Sequence, residues 1–338
     1  MPGTTATSVT STESASEAGT PDKIAVLFVH GVEIRDPDYA DNAMSMLRAE
    51  YARACRNKQA PELEVEAAYW IPVVAPGLDK VVQQAFGTGF ASWTGRLNQI
   101  VHHINNGSLL AMLPLVVSGL LRHVPGLESA NWPTLRWAFT YFVGDLVAYQ
   151  VAQGNNVNYE AIHGCLDQAL ANLAERAPDA PLCVISHSLG TVIASDHFYD
   201  LQQRKRMFPT AIQRGETLTF LYTLGSPIAL WMVRYPTFDR PISLPGRDHG
   251  TSKIRAAAEW VNFYDPDDIV AYPLRTLNDE YKHAVDRDQP VRLGPPILGS
   301  TPISHVAYFN SRRIIGPIAE RLALLAGAVI PRLEKPHP

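Results

Sequence analysis

Three residue types that together can act on an acyl group lie in the C-terminal half of the chain. Ser188 sits in "LCVISHSLGTVIASD" (182–196), where a short β-branched run gives way to a helical pattern. A serine hydroxyl attacks a carbonyl at neutral pH only when a base takes its proton. Downstream candidates for that base are His283, His305 and His337. Carboxylates that could orient it are Asp265, Asp267 and Asp268, in "NFYDPDDIVAYPL" (262–274). In Ser186-His187-Ser188-Leu189-Gly190 small residues stand two places to either side of the serine, as a tight strand-to-helix turn requires. The N-terminus of the following helix favours negative charge and so suits an oxyanion.

Those side chains need a frame. "KIAVLFVHG" (23–31), "LEVEAAYW" (63–70), "LCVIS" (182–186), "LTFLYTLGSP" (218–227) and "EWVNFYD" (259–265) read as strands. Helical spacing appears over 41–56, over 144–175 with a break at "GNNVN", after Ser188, and over 306–325 with a break or kink at Pro317. Strands alternating with helices predict an α/β fold, a mostly parallel sheet covered by helices on both faces. Its crossovers should be right-handed. Ligands of such sheets bind at the carboxyl ends of the strands, where Ser188 falls.

Composition narrows the class. Hydrophobic residues make up 46% and charged residues 18% of 338, as in a globular protein with a sizeable core. A formal net charge of −4 leaves no basic footprint for nucleic acid. Cys55, Cys165 and Cys183 form no CxxC pair, which argues against a disulfide framework or structural zinc and suits a reducing compartment. Residues 1–22 hold ten Ser or Thr and are expected to be a disordered tail without the features of a signal peptide, so a cytoplasmic location is expected. Residues 23–330 are expected to form one domain, with a helical insertion at about 75–142 rich in Gly, Trp and Leu. Its longest apolar run, 109–121, is interrupted by Pro114 and is short for a transmembrane helix, which needs about 20 apolar residues.

The stretch "VISHSLGTVIA" resembles the nucleophile elbow of serine hydrolases of the α/β-hydrolase superfamily, of the esterase and lipase kind. "FVHG" (28–31) resembles that family's His-Gly loop, and "TLGSPIALW" (223–231) resembles the strand and loop after the elbow helix. The resemblance implies an α/β-hydrolase fold and a nucleophile–acid–histidine order along the chain. It implies Ser188 as nucleophile and the backbone N–H groups of Leu189 and Val32 as the oxyanion hole. "DDIVAYPL" resembles a lipase stretch that points to Asp268 as the acid, with Asp265 the alternative. "SHVAYF" resembles the lipase histidine segment and points to His305. His30 reads as a side chain that shapes the loop, and His187 as a packing residue.

The implied reaction is hydrolysis of a carboxylic ester by a Ser-His-Asp triad, which needs neither metal nor organic cofactor. The apolar insertion (75–142) reads either as ordinary core or as a lid walling an acyl pocket. The lid reading favours a small hydrophobic or lipid-like ester, with transient contact between the insertion and a lipid surface. An acyltransferase or thioesterase on the same triad, and a hydrolase-like binding protein without catalysis, are the alternatives.

Overall fold

A computed structural model describes residues 21–32, 34–56, 60–86, 143–150, 157–203, 208–233, 238–293 and 305–327. Residues 1–20 of the expected tail (1–22), the apolar run 109–121 and His337 lie outside the described residues.

Among the described residues, six parallel strands form one sheet in the order β2-β1-β3-β4-β5-β6. They are β1 (Lys23–Val29), β2 (Glu62–Ala68), β3 (Leu182–His187), β4 (Leu218–Leu224), β5 (Glu259–Tyr264) and β6 (Arg287–Pro290). The inner strands β1 and β3 are largely apolar runs because helices cover both of their faces. In β1, Ile24, Val26 and Phe28 enter one core, while Ala25, Leu27 and Val29 enter the other. The first core is closed by helices α1 (Asp41–Cys55) and, far along the chain, Arg312–Ala323, through Leu47, Tyr51, Ile314 and Ile318. The second is closed by α2 (Ile71–Phe86), α4 (Val157–Arg176) and α5 (Leu189–Gln203); α3 is the short helix 143–149. Each fully buried Leu or Ile contributes about 1.5–3 kcal/mol to holding a helix on the sheet.

The chain leaves β1 for β2 on one side, then returns past β1 to β3 on the other. The switch in direction therefore falls between β1 and β3, and the crevice outside their carboxyl ends is where α/β sheets bind ligands. Val29 pairs with Ser186, and His187 with Leu224, so the ends of β1, β3 and β4 lie level.

Three features add to the expected organisation. Residues 75–86, where the helical insertion was expected to start, belong to α2, which starts at Ile71, runs through Pro76, and buries Val74, Leu78 and Val82 in the sheet core. Residues 87–142 lie outside the described residues. Strand β6 has no apolar signal, since its sequence is RDQP. It is tied to β5 by polar bonds, Trp260 N–H to Asp286 Oδ2 at 2.7 Å and Asn262 Nδ2–H to Asp288 Oδ1 at 2.8 Å. Its terminal Pro290 is tolerated at a sheet edge. The helix Arg312–Ala323 continues through Pro317, its apolar stripe Ile314, Ile315, Ile318 and Leu322 fully buried. Among the described residues no helix is long and apolar enough to cross a membrane.

Candidate active site

Strand β3 ends at His187, and Ser188 turns the chain directly into α5. Ser188 takes a left-handed conformation, φ 53°, which costs a non-glycine residue roughly 1–2 kcal/mol. The turn is held by its neighbours. The Ser188 N–H donates to Leu224 O at 2.9 Å, and Thr191 donates to Ser188 O from its N–H at 2.9 Å and its Oγ1 at 2.7 Å. Ser226 Oγ lies 2.8 Å from Thr191 Oγ1 and accepts the Ile228 N–H at 3.3 Å, so the segment after β4 is fastened to the elbow.

The small residues of the pattern have a physical cause. A Cβ on Gly190 would lie 2.3 Å from His30 O and 2.7 Å from Val29 O, both fixed backbone atoms. At the other small position Ser186 stands, fully buried, and its hydroxyl donates to Tyr222 O at 3.2 Å. That bond is how a serine is accommodated there, since a buried hydroxyl without a partner is costly.

Two further segments reach Ser188. The loop after β1 presses on it so closely that a Cβ on Gly31 would sit 2.5 Å from Ser188 Cβ. His30 holds that loop: its Nδ1–H donates to Gly31 O at 2.7 Å, and its Nε2 accepts the Trp70 N–H at 3.2 Å. Its ring stacks on Trp70 with centroids 4.9 Å apart, and burial holds its pKa down at about 3. His30 thus shapes the loop as a neutral ring. The second segment brings His305, whose Nε2 lies 2.7 Å from Ser188 Oγ and whose Nδ1 lies 2.8 Å from Asp268 Oδ2. With Asp268 ionised, Nδ1 carries the proton and Nε2 is free to accept from the serine.

Asp268 is buried and well supplied with donors. Its Oδ1 accepts the Val270 N–H at 3.0 Å, and its Oδ2 also accepts the Tyr308 hydroxyl at 3.0 Å. Burial pushes the carboxyl up, but the His305 hydrogen bond and charge, with those from Val270 and Tyr308, outweigh it and hold Asp268 below its ordinary value. Asp265 does other work: its Oδ1 accepts the Asp267 N–H at 3.0 Å and its Oδ2 the Leu293 N–H at 2.7 Å, which shapes the turn. Asp267 is exposed. His283 lies on the short helix Asp279–Ala284, with Nδ1 on Asp279 O.

The structure therefore brings Ser188, His305 and Asp268 into one hydrogen-bonded line beside Gly31, and it leaves Asp265, Asp267 and His283 outside that line. Leu189 opens α5, where helix geometry leaves the first N–H groups without intrahelical acceptors. Sequence reasoning gave Tyr308 and His187 no function beyond flank and packing. Both make polar bonds to the line: Tyr308 as above, and His187 from Nε2 to His305 O at 2.6 Å. Among the described residues no group of three His, Cys, Asp or Glu could hold a metal ion.

No family model matches this chain, and neither a curated protein nor a solved structure matches it.

Proposed function

We propose that the chain is a serine hydrolase with an α/β-hydrolase fold, cleaving carboxylic esters through an acyl-enzyme. One observation carries this reading: the line from Ser188 Oγ to His305 Nε2 and from His305 Nδ1 to Asp268 Oδ2, with the serine in a strained left-handed turn between strand and helix. Nucleophile, acid and histidine follow one another in the chain order of that superfamily, on an all-parallel sheet. Fold by itself would support no chemistry, and the site geometry supplies the argument.

In the reaction, Ser188 Oγ bonds to the acyl carbon while His305 Nε2 takes its proton. The carbonyl π electrons move onto oxygen, where the N–H groups of Leu189 and Val32 stabilise the charge. Collapse expels the alcohol, which takes the proton from His305, and leaves an ester on Ser188. Water then attacks that ester, gives a proton to His305, and releases the acid as the proton returns to Ser188 Oγ. Asp268 keeps the imidazole oriented and stabilises its cation without taking the proton. Hydrophobic esters are the substrate class we favour, on the apolar composition of the expected insertion (75–142).

Fluorophosphonate labelling followed by peptide mapping tests the nucleophile, since only an activated serine reacts. Labelling at Ser188, with p-nitrophenyl esters cleaved faster as the acyl chain lengthens, is expected. A native protein that the probe leaves unlabelled would be a binding protein, not an enzyme of this kind. Labelling with acyl transfer to an added alcohol or thiol in preference to water would make it an acyltransferase.

A further inference from the structure

We propose that His187 is a positioning residue of this site, whose ring N–H holds the backbone of His305 in place beside the nucleophile. The proposal deepens the hydrolase reading and rests on it. His305 lies in no strand, and the sequence before it, "LGPPILGSTPIS", is rich in Gly and Pro. A base carried on such a segment has to be fixed by bonds from rigid elements. His187 belongs to β3, the central strand of the site, and immediately precedes Ser188. Its Nε2–H donates to His305 O at 2.6 Å.

The consequence is a two-point reference. His305 is bound through its ring to Ser188 and through its carbonyl to His187, two consecutive residues of one turn. During turnover the ring's bond to Ser188 must break, because the protonated imidazole has to reach the leaving group. The carbonyl's bond to His187 need not change at any step. It keeps the imidazole within reach of both oxygens while the ring alternates between them.

The surroundings suit a fixed donor. The His187 ring sits among His305, Tyr308 and Phe309, with centroids 5.0, 5.5 and 5.3 Å away, and is 6% exposed. Burial, then the neighbouring His305, holds its pKa down at about 3. It therefore carries a single ring proton across the neutral range, and donation to a carbonyl fixes that proton on Nε2. It does not compete with His305 for the proton taken from the serine.

A reciprocal pair of variants separates donor from filler. His187→Gln keeps an amide N–H at comparable reach but removes the ring. His187→Phe keeps a ring among the aromatic neighbours but removes the donor. Two quantities are read on each: kcat and KM for a short p-nitrophenyl ester, and hydrogen exchange of the backbone amides of 306–311. A misplacement of about 1 Å costs about 100-fold in rate, so His187→Phe should lose 10- to 100-fold in kcat at nearly unchanged KM. Its 306–311 amides should exchange faster, and His187→Gln should recover most of both losses. If His187→Phe matches the wild type, or recovers more than His187→Gln, the role is packing and the proposal is wrong. Should the wild type neither hydrolyse esters nor label at Ser188, the hydrolase reading fails separately. The exchange data then still judge the anchor: donor-dependent protection supports it, and equal exchange in all three proteins overturns it.

Discussion

The hydroxyl of Tyr308 donates to Asp268 Oδ2 at 3.0 Å and accepts the backbone N–H of Asp265 at 2.8 Å. One buried side chain thus ties the segment that carries His305 to the turn that carries Asp268. The same ring packs against Gly225, whose φ is +58° and where a Cβ would lie 2.8 Å from Tyr308 Cε2. Tyr308→Phe would leave the Asp265 N–H buried without its acceptor and deprive Asp268 of one donor. Hydrogen bonds to a charged group contribute about 1.5–3 kcal/mol, so urea unfolding should show a loss of that order. The catalytic loss should be well below that of Asp268→Asn, since His305 still meets the carboxylate. An unchanged urea midpoint would mean that the Tyr308 bonds are energetically idle.

Ser188→Ala and His305→Ala should each lower kcat by several orders of magnitude, up to about 10⁶, and the double variant should be hardly worse than either. Non-additivity is the diagnostic, because the two groups act as one unit. Losses that multiplied in the double variant would place the two residues in separate roles.

Asp268→Asn should cost about 10⁴ in kcat, because an amide presents the wrong partner to His305 Nδ1. Asp265→Asn should act on stability, through the Leu293 and Asp267 amides its carboxylate accepts, and should leave the kcat of the folded protein within a few fold. If the costs were reversed, Asp265 would be the acid and the observed His305–Asp268 bond a resting-state contact.

The sheet was legible because its central strands β1 and β3 are apolar on both faces; "AVLFV" and "LCVIS" can be little else. The edge strand β6 was not, since polar side chains bonding to β5 leave no hydrophobic period to read. Helix α2 was obscured by Pro72, Pro76 and Gly77, whose local preferences are overridden by burial of Val74, Leu78 and Val82. At the site, residue types and order left three aspartates and three histidines open; the resemblance to lipase segments pointed to Asp268 and His305, and the geometry shows which carboxylate meets the imidazole. A carboxylate that shapes a turn and one that orients a histidine look alike when they are three residues apart. His187 was hidden for a similar reason, because a donor to a backbone carbonyl 118 residues away has no sequence pattern.

Gly190→Ala should be far more damaging than an ordinary exposed Gly-to-Ala change in a helix, which would be stabilising. The added Cβ would meet His30 O at 2.3 Å and Val29 O at 2.7 Å, so either the elbow or the β1 loop must move. Loss of Ser188 labelling by a fluorophosphonate in a protein that still folds by circular dichroism is the expected outcome. Retained labelling at the wild-type rate would show that the loop yields without disturbing the serine.

The two buried histidines also make a prediction about acid. His30 and His187 have folded pKa values of about 3, against an ordinary 6.5, with burial the leading cause in both. Between those values the unfolded chain binds a proton at each position and the folded chain does not. Stability must therefore fall as pH drops below 6.5, by up to about 1.4 kcal/mol per pH unit for each histidine, and should be independent of them above it. Carboxylates held below their ordinary value, such as Glu50, Glu64 and Asp268, lose stability in the same direction, but only once pH falls towards 4.5 and below. The window from 6.5 to 4.5 thus isolates histidine. Gln cannot titrate, so the difference in unfolding free energy between the wild type and His187→Gln should narrow steadily as pH falls through that window, and likewise for His30→Gln. Urea titrations at half-unit steps of pH measure it. Parallel stability curves for wild type and variant would mean that the ring takes a proton in the folded state as readily as in the unfolded one, and a protonated His187 would carry its charge beside the imidazole proposed to accept the proton of Ser188.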